Sequence, residues 1–172
     1  MNEKPLVVFA HGKESGPWGS KICHLADIAQ KSGAKVFSPD YSDLSSPDER
    51  VKRLLALPLP PHGKLLLVGS SMGGYVSLLA SGKLKPVGLF LLAPALKLPG
   101  YAEQNPVPGT DRICIVHGWK DSIIPVEHSF RFAKEFHAEL HVIDSDHRLD
   151  GALEQTGELF RYFAALLLKA NV

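Results

Sequence analysis

Residues Leu65–Ala80 read LLLVGSSMGGYVSLLA and place two serines and three glycines between two apolar runs. Within this stretch, Gly69-Ser70-Ser71-Met72-Gly73 fits the pattern G-x-S-x-G. The pattern is typical of a tight turn from a strand to a helix, in which strained backbone angles lift the middle hydroxyl clear of the sheet. We therefore predict a strand, a turn and a helix, with Ser71 as a candidate nucleophile. The alternative is a Gly/Ser-rich turn that only connects the two elements.

The rest of the chain alternates short apolar runs with helix-length amphipathic runs. The predicted strands are Leu6–Ala10, Lys35–Ser38, Leu65–Gly69, Val87–Leu92, Ile113–His117 and Leu140–Ile143. The predicted helices are Ser20–Ser32, Pro47–Leu57, Met72–Gly82, Val126–Phe136 and Ala152–Lys169. Several strands are almost entirely apolar, which is expected when both faces of a sheet are covered. This alternation predicts an α/β fold, with a parallel sheet between two layers of helices.

Polar residues follow four of the predicted strands, and the carboxyl ends of parallel strands meet at one edge of the sheet. A serine nucleophile needs a histidine base and a carboxylate that orients the histidine, in the chain order Ser, Asp, His. Asp121 and His147 follow the last two strands in that order. The alternatives for the acid are Asp144, Asp146 and Asp150. His117 ends a strand and is interpreted as structural or as a neighbour of the site.

Acyl transfer also requires two N–H donors for the developing oxyanion. We expect these to be the backbone N–H groups of Met72, which follows the candidate nucleophile, and of Lys13, in the loop after the first strand. Arg148, beside the candidate base, is an option for binding a substrate carboxylate, with a solvated loop arginine as the alternative. The predicted substrate-binding residues are Trp18, Tyr41 and Trp119, with Pro94 and Leu96 as further pocket candidates.

Four motifs together, FAHGKESG, GSSMGGY, VHGWKDSIIP and DSDHRL, resemble the small lidless α/β-hydrolases. The nearest resemblance is to the YqiA-like esterases and the retinoblastoma-binding-protein-like serine hydrolases, and it extends over nearly the whole chain. It implies a compact three-layer α/β-hydrolase fold with a six-stranded parallel sheet of order 2-1-3-4-5-6. It also implies Ser71 as nucleophile, His147 as general base and Asp121 as its orienting acid.

Two features depart from the larger members of this family. The two leading antiparallel strands are absent, because the first predicted strand already carries the His-Gly pair. The usual lid insertion is absent or reduced to the Pro/Gly-rich loop Pro94–Thr110. The second departure predicts an open, shallow site.

The bulk composition narrows the classes of function. The chain has 172 residues, which fits a single domain over 1–172, and its formal net charge of +1 gives no reason to expect nucleic-acid binding. No apolar stretch approaches the ~18 residues of a membrane helix, so we expect a cytoplasmic protein without membrane contact. The two cysteines have no metal-site spacing, and we expect no disulfide, metal or cofactor. A homodimer is compatible with the sequence.

The predicted function is a serine hydrolase that cleaves carboxylic esters, or alternatively thioesters, of small or short-acyl substrates through an acyl-enzyme. A second hypothesis is a protein-binding module on a hydrolase scaffold with little or no activity. A third is a phosphate-handling α/β enzyme, but the Gly-rich turn lacks the Gly-Lys-Ser/Thr ending of a P-loop.

Overall fold

The computed structural model describes residues 3–168, which form a six-stranded, all-parallel sheet of order β2-β1-β3-β4-β5-β6. The strands are β1 (Leu6–Ala10), β2 (Lys35–Phe37), β3 (Leu65–Ser70), β4 (Gly88–Leu92), β5 (Ile113–Gly118) and β6 (Glu139–Ile143). The helices are α1 (Ser20–Lys31), α2 (Pro47–Ala56), α3 (Met72–Leu84), α4 (Val126–Phe136) and α5 (Leu153–Leu168). The predicted fold class and strand order are both confirmed.

Two apolar layers hold the helices on opposite faces of the sheet. In β1, Val7 and Phe9 face the layer that includes α1 and α5, whereas Leu6 and Val8 face the layer that includes α2, α3 and α4. This two-residue alternation is the normal geometry of a strand. Strands β1, β3, β4 and β5 are buried along their whole length. Their nearly continuous apolar sequence therefore follows from the helices on both sides.

The predicted elements occur within two residues of their predicted bounds, with two differences that have physical reasons. Helix α3 runs past Gly82 to Leu84 and ends where Lys85 adopts a left-handed conformation (φ 48°), directly before Pro86. The last predicted helix begins instead as a short 3₁₀ turn over Asp150–Ala152. Its predicted end, Lys169, lies outside the described residues. None of the helices within residues 3–168 is long and apolar enough to span a bilayer.

The start of α3 packs directly against the end of β1, and a glycine makes this approach possible. A Cβ on Gly73 would collide with the carbonyl oxygen of Ala10 and would lie 2.8 Å from that of His11. A Cβ on Gly69 would collide with the backbone of Gly73. Gly73, the last residue of the G-x-S-x-G pattern, therefore allows the turn at Ser71 to pack against the loop that follows β1.

Replacing Gly73→Ala should destabilise the protein by about 2–3 kcal/mol or more, because rigid backbone atoms occupy the space that the new methyl group needs. The matched control is Gly82→Ala in the same helix, where no heavy atom lies within 4 Å of the new methyl group. This control should stabilise the protein by up to ~1 kcal/mol through helix propensity. Urea unfolding of both variants measures the difference, and equal stabilities would contradict the close packing of α3 on β1.

Candidate active site

Ser71 lies in the turn between β3 and α3 and has strained backbone angles, with φ at 54° and ψ at −118°. Positive φ is costly for a residue with a side chain, so surrounding bonds must hold it. Its N–H donates to the carbonyl of Leu92 at 2.9 Å, and its carbonyl accepts from the N–H of Ala95 at 3.0 Å. The Ser71 side chain makes no capping bond to α3. The hydroxyl is therefore free to face the histidine described next.

His147 connects the Ser71 hydroxyl to a buried carboxylate. Its Nε2 lies 3.0 Å from Oγ of Ser71, and its Nδ1 lies 2.7 Å from Oδ2 of Asp121. When Nδ1–H donates to the carboxylate, Nε2 is left as the acceptor for the serine proton. The structure thus brings together the three residues that the sequence named as nucleophile, base and acid.

The carboxylate of Asp121 is buried and fully hydrogen-bonded. Its Oδ1 accepts from the backbone N–H groups of Ile123 and Ile124, both at 2.8 Å. Burial by itself would raise the pKa of Asp121, but the bonds from Ile124, His147 and Ile123 outweigh burial, so the pKa is lowered. Asp121 is therefore a stable anion, as an orienting acid must be.

The three alternative aspartates near His147 bond to other groups. Asp144 pairs with Nζ of Lys120 at 2.6 Å. Asp146 accepts from the backbone N–H of Arg148 at 3.0 Å, and Asp150 contacts the hydroxyl of Ser20 at 3.4 Å. Each therefore has a local structural partner.

His117 also contacts the Asp121 carboxylate, at the same oxygen as His147. Its Nε2 lies 3.0 Å from Oδ2 of Asp121 and 3.1 Å from the carbonyl of Ile124. Because both neighbours are acceptors, Nε2 carries the proton, and Nδ1 accepts from the hydroxyl of Ser129 at 2.8 Å. Burial lowers the pKa of His117, so the ring is neutral. His117 thus holds Asp121 in place, in agreement with its interpretation as a neighbour of the site.

A second buried histidine, His11, fixes the loop after β1. Its Nε2 accepts from the N–H of Tyr41 at 2.9 Å, which leaves the proton on Nδ1 to donate to the carbonyl of Gly12 at 2.8 Å. In a trans peptide the carbonyl of Gly12 and the N–H of Lys13 point in opposite directions. Anchoring that carbonyl in the interior directs the Lys13 N–H outward, and Lys13 lines the same cleft as Ser71.

Arg50 supplies a second anchor for the same carbonyl, and sequence reasoning missed it. The Arg50 side chain is fully buried and donates to three carbonyl groups: Leu44 at 2.8 Å, His11 at 3.3 Å and Gly12 at 3.1 Å. A helix arginine is normally solvated, so only the folded structure identifies this one. Met72, the other predicted oxyanion donor, begins α3, where the N–H has no intrahelical partner.

The Ser71 hydroxyl opens into a cleft of about 660 Å³, a volume suited to a small-molecule ligand. The segment Pro94–Thr110, which we call the strap, forms part of its wall through Ala95, Leu98 and Tyr101. The hydroxyl of Tyr75 accepts from the N–H of Glu103 at 3.1 Å and anchors the strap. The reduced lid is therefore a fixed wall of the cleft. The residues that line the cleft are Gly12, Lys13, Glu14, Ser15, Gly19, Ser20, Lys21, Ile22, Ser70, Ser71, Met72, Ala95, Leu98, Tyr101, Ile123, Ile124, His147, Arg148 and Asp150.

The structure places the predicted substrate-binding residues outside the lining of the cleft. Tyr41 is buried in the core, and its backbone N–H donates to Nε2 of His11. Trp18 and Trp119 are exposed and do not line the cleft, and the Trp119 ring packs near that of Phe130, with centroids 6.1 Å apart. Leu96 is a core residue, and Pro94 is also absent from the lining. Lys21, Ile22, Ile123 and Ile124 line the cleft instead.

Cys114, Glu139 and His141 bring three potential metal-ligand atoms within 4.8 Å of one another, in the first halves of β5 and β6. His141 already pairs with Glu139 at 2.6 Å. Burial raises the pKa of the Cys114 thiol and disfavours the thiolate that would bind a metal. This group lies toward the sheet edge opposite the strand ends that carry the cleft.

The lowered pKa of Asp121 predicts a pH-dependent stability. An ionised group whose pKa is lower in the folded state contributes stability above its unfolded pKa of about 4 and loses that contribution as the pH falls through the folded value. The free energy of unfolding of the wild type should therefore fall relative to that of Asp121→Asn as the pH drops from about 4 toward 2. Urea unfolding at each pH measures it, with Asp144→Asn as control. A difference that stays constant would contradict the shifted charge.

Arg50→Met should slow phosphonylation of Ser71 by a fluorophosphonate about tenfold or more, because a loosened Gly12 carbonyl no longer fixes the Lys13 N–H, and losing one oxyanion donor outright costs about a hundredfold. The control is Arg53→Met on the same helix, whose guanidinium binds the exposed Asp43. This control should keep both the labelling rate and the fold. A folded Arg50 variant that reacts at the wild-type rate would contradict a role in the oxyanion loop.

Comparison with known proteins agrees with the observed fold. No protein-family profile and no curated protein matches the chain. A Xanthomonas campestris protein assigned to the α/β superfamily of hydrolases superposes with a TM-score of 0.85 at 29% identity, covering 94% of this chain and 99% of its own. Est1E from Butyrivibrio proteoclasticus has a TM-score of 0.81 at 19% identity, covering 97% of this chain and 89% of its own. A lidless α/β serine hydrolase from Xanthomonas campestris has a TM-score of 0.77 at 19% identity, covering 100% and 86%. The chain therefore has the α/β-hydrolase fold, and its neighbours support a hydrolase of that superfamily.

Proposed function

We propose that this protein is a serine hydrolase that cleaves carboxylic esters of small or short-acyl substrates through an acyl-enzyme. The observation that carries the proposal is the continuous chain of hydrogen bonds from Ser71 Oγ through His147 to Asp121, at 3.0 Å and 2.7 Å, at the edge of an open cleft. A hydroxyl is a weak nucleophile unless a base removes its proton as it attacks. This arrangement supplies that base in the required tautomer.

The reaction has two steps. In the first, Nε2 of His147 takes the Ser71 proton while Oγ bonds to the ester carbonyl carbon, and the carbonyl electrons move to oxygen. The N–H groups of Lys13 and Met72 stabilise this oxyanion. The carbonyl then re-forms, the C–O bond to the alcohol breaks, and His147 gives its proton to the leaving oxygen. In the second step, water repeats the sequence and releases the acid and free Ser71.

The shape of the cleft supports a small substrate. Ile22, Leu98 and Ile123 contribute apolar side chains to its wall. The strap forms part of that wall, and the volume of about 660 Å³ suits a small acyl group. A thioester could react by the same steps, because its carbonyl has the same geometry and its thiolate leaves more readily than an alkoxide. The predicted cytoplasmic location, the absence of nucleic-acid and membrane partners and the option of a homodimer remain predictions from the sequence.

The second candidate function is a protein-binding module on the same scaffold. The exposed Trp119 ring, near that of Phe130 at 6.1 Å, is the observation that favours it, since exposed aromatics are common at interfaces. Binding through this patch does not require a positioned serine. Strained angles at Ser71 and a buried, ionised Asp121 are costly features that binding alone leaves unexplained.

A fluorophosphonate probe should label Ser71 of the folded wild-type protein, because the serine oxygen displaces fluoride from phosphorus by the same activation that attacks an ester. Ser71→Ala should abolish labelling and hydrolysis of 4-nitrophenyl acetate, and His147→Ala should reduce both by about a millionfold, the loss seen when a triad member is removed. Peptide mass mapping locates the adduct, and release of 4-nitrophenol gives the rate.

Ser70→Ala is the matched control, since it removes the neighbouring hydroxyl and should leave labelling intact. Folded wild-type protein that neither reacts with the probe nor hydrolyses the ester would overturn the proposal and favour the binding module.

A further inference from the structure

Lys21 lines the candidate active-site cleft, and no partner in the described part of the chain accounts for its position. It is the second residue of α1, lies between Ser20 and Ile22 in the cleft wall, and is half-buried. Within residues 3–168, no carboxylate lies at ion-pair distance from its ammonium. A half-buried, unpaired ammonium is unfavourable, because it loses water without gaining a counter-charge.

Helix stability does not account for this lysine either. The amino end of a helix carries partial positive charge, so a cation in the first turn is disfavoured there. Helix α1 also has no acidic residue in that turn to compensate. Lys31 shows the ordinary case at the other end of the same helix, where the dipole favours a cation and Asp27 pairs with it at 2.7 Å.

Other charges surround the ammonium but leave it free to face the cleft. Burial lowers the pKa of Lys21, and the nearby Arg148 lowers it further, whereas Asp150 and Asp146 act in the opposite direction. Asp150 contacts the Ser20 hydroxyl, and Asp146 accepts from two backbone N–H groups of its own turn. Neither Asp150 nor Asp146 therefore forms an ion pair with Lys21.

Arg148 and Lys13 add two further cations to the cleft wall, against the carboxylates Glu14 and Asp150. The three cations of the wall, Lys21 included, outnumber its two carboxylates, so the charges favour an anionic ligand. The apolar side chains of Ile22 and Ile123 are also in the wall. The cleft therefore suits an apolar molecule that carries a carboxylate.

We propose that Lys21 binds a substrate carboxylate, with Arg148 as a second cation, so that the preferred substrates are esters that also carry a free carboxylate. This inference rests on the proposed function, because it assigns the substrate class of the reaction at Ser71. A substrate carboxylate would supply the counter-charge that Lys21 lacks in the folded protein.

The test compares two esters that share a leaving group and a five-carbon acyl chain: 4-nitrophenyl valerate, which is neutral, and mono-4-nitrophenyl glutarate, which ends in a carboxylate. After subtraction of the spontaneous rate, wild-type kcat/KM should favour the glutarate. Lys21→Gln should lower the ratio of the two kcat/KM values about fivefold to tenfold, the modest loss expected for a partly solvated charge pair. Lys21→Glu should lower it further.

Two variants make the assignment specific. Asp150→Asn removes an opposing charge and should raise the glutarate preference, whereas Lys31→Gln, at the far end of α1, should leave it unchanged. A second pair, 4-acetoxybenzoate and phenyl acetate, places the carboxylate on the alcohol instead. Comparison of the two pairs shows whether Lys21 binds a carboxylate on the acyl group or on the alcohol. Unfolding midpoints confirm that each variant is folded.

The outcomes separate this inference from the proposed function. Hydrolysis of the esters without anionic preference in either pair, or with a preference that Lys21→Gln does not move, overturns the role of Lys21 and leaves the serine hydrolase standing. If folded wild-type protein hydrolyses none of the four esters and the fluorophosphonate does not label Ser71, both proposals are overturned.

Discussion

The contact between Gly73 and the carbonyl of Ala10 is the constraint on which the rest of the site depends. It allows the backbone of α3 to approach the end of β1 more closely than any side chain would permit. The approach places the turn at Ser71 beside the loop at Gly12, where an added Cβ would lie 3.6 Å from that of Ser71. Ser71, the proposed nucleophile, and the loop of Lys13, the proposed oxyanion donor, are far apart in sequence and thus become neighbours through backbone packing.

Two His-Gly pairs perform parallel tasks at the ends of β1 and β5. His11 and His117 are both buried, and burial lowers the pKa of each, so both rings are neutral and have one donor and one acceptor. The ring N–H of His11 donates to the carbonyl of Gly12, and that of His117 donates to Asp121 and to the carbonyl of Ile124. A neutral imidazole can thus fix an adjacent loop without placing a buried charge beside the triad, which would alter the base strength of His147.

The sequence was most informative where topology decides position. Strand ends of a parallel sheet meet at one edge, so the order Ser71, Asp121, His147 and their places after strands were enough to bring the three together. Prediction from the sequence failed where the direction of a side chain depends on packing against residues distant in the chain. Tyr41 follows a strand as a binding residue would, but its ring packs in the core beside that of His11. Arg50 and Lys21 look like ordinary helix cations in the sequence, and only the loop and the cleft that they face distinguish them.

Burial decreases from Asp121 through His147 to Ser71, and this order follows from the fold. The Asp121 side chain is 0% exposed and that of His147 is 15% exposed, while Ser71 borders the open cleft. The electrostatic effect of a fixed negative charge is largest where water is excluded, and the four donors to the Asp121 carboxylate offset the cost of burying it there. In the proposed reaction, the proton moves only between His147 and groups nearer the cleft. The end of β5 and the loop before α4 hold the Asp121 carboxylate in the interior, whereas the turn between β3 and α3 holds the Ser71 hydroxyl at the cleft. The same sheet edge therefore supplies both environments within the length of one imidazole ring.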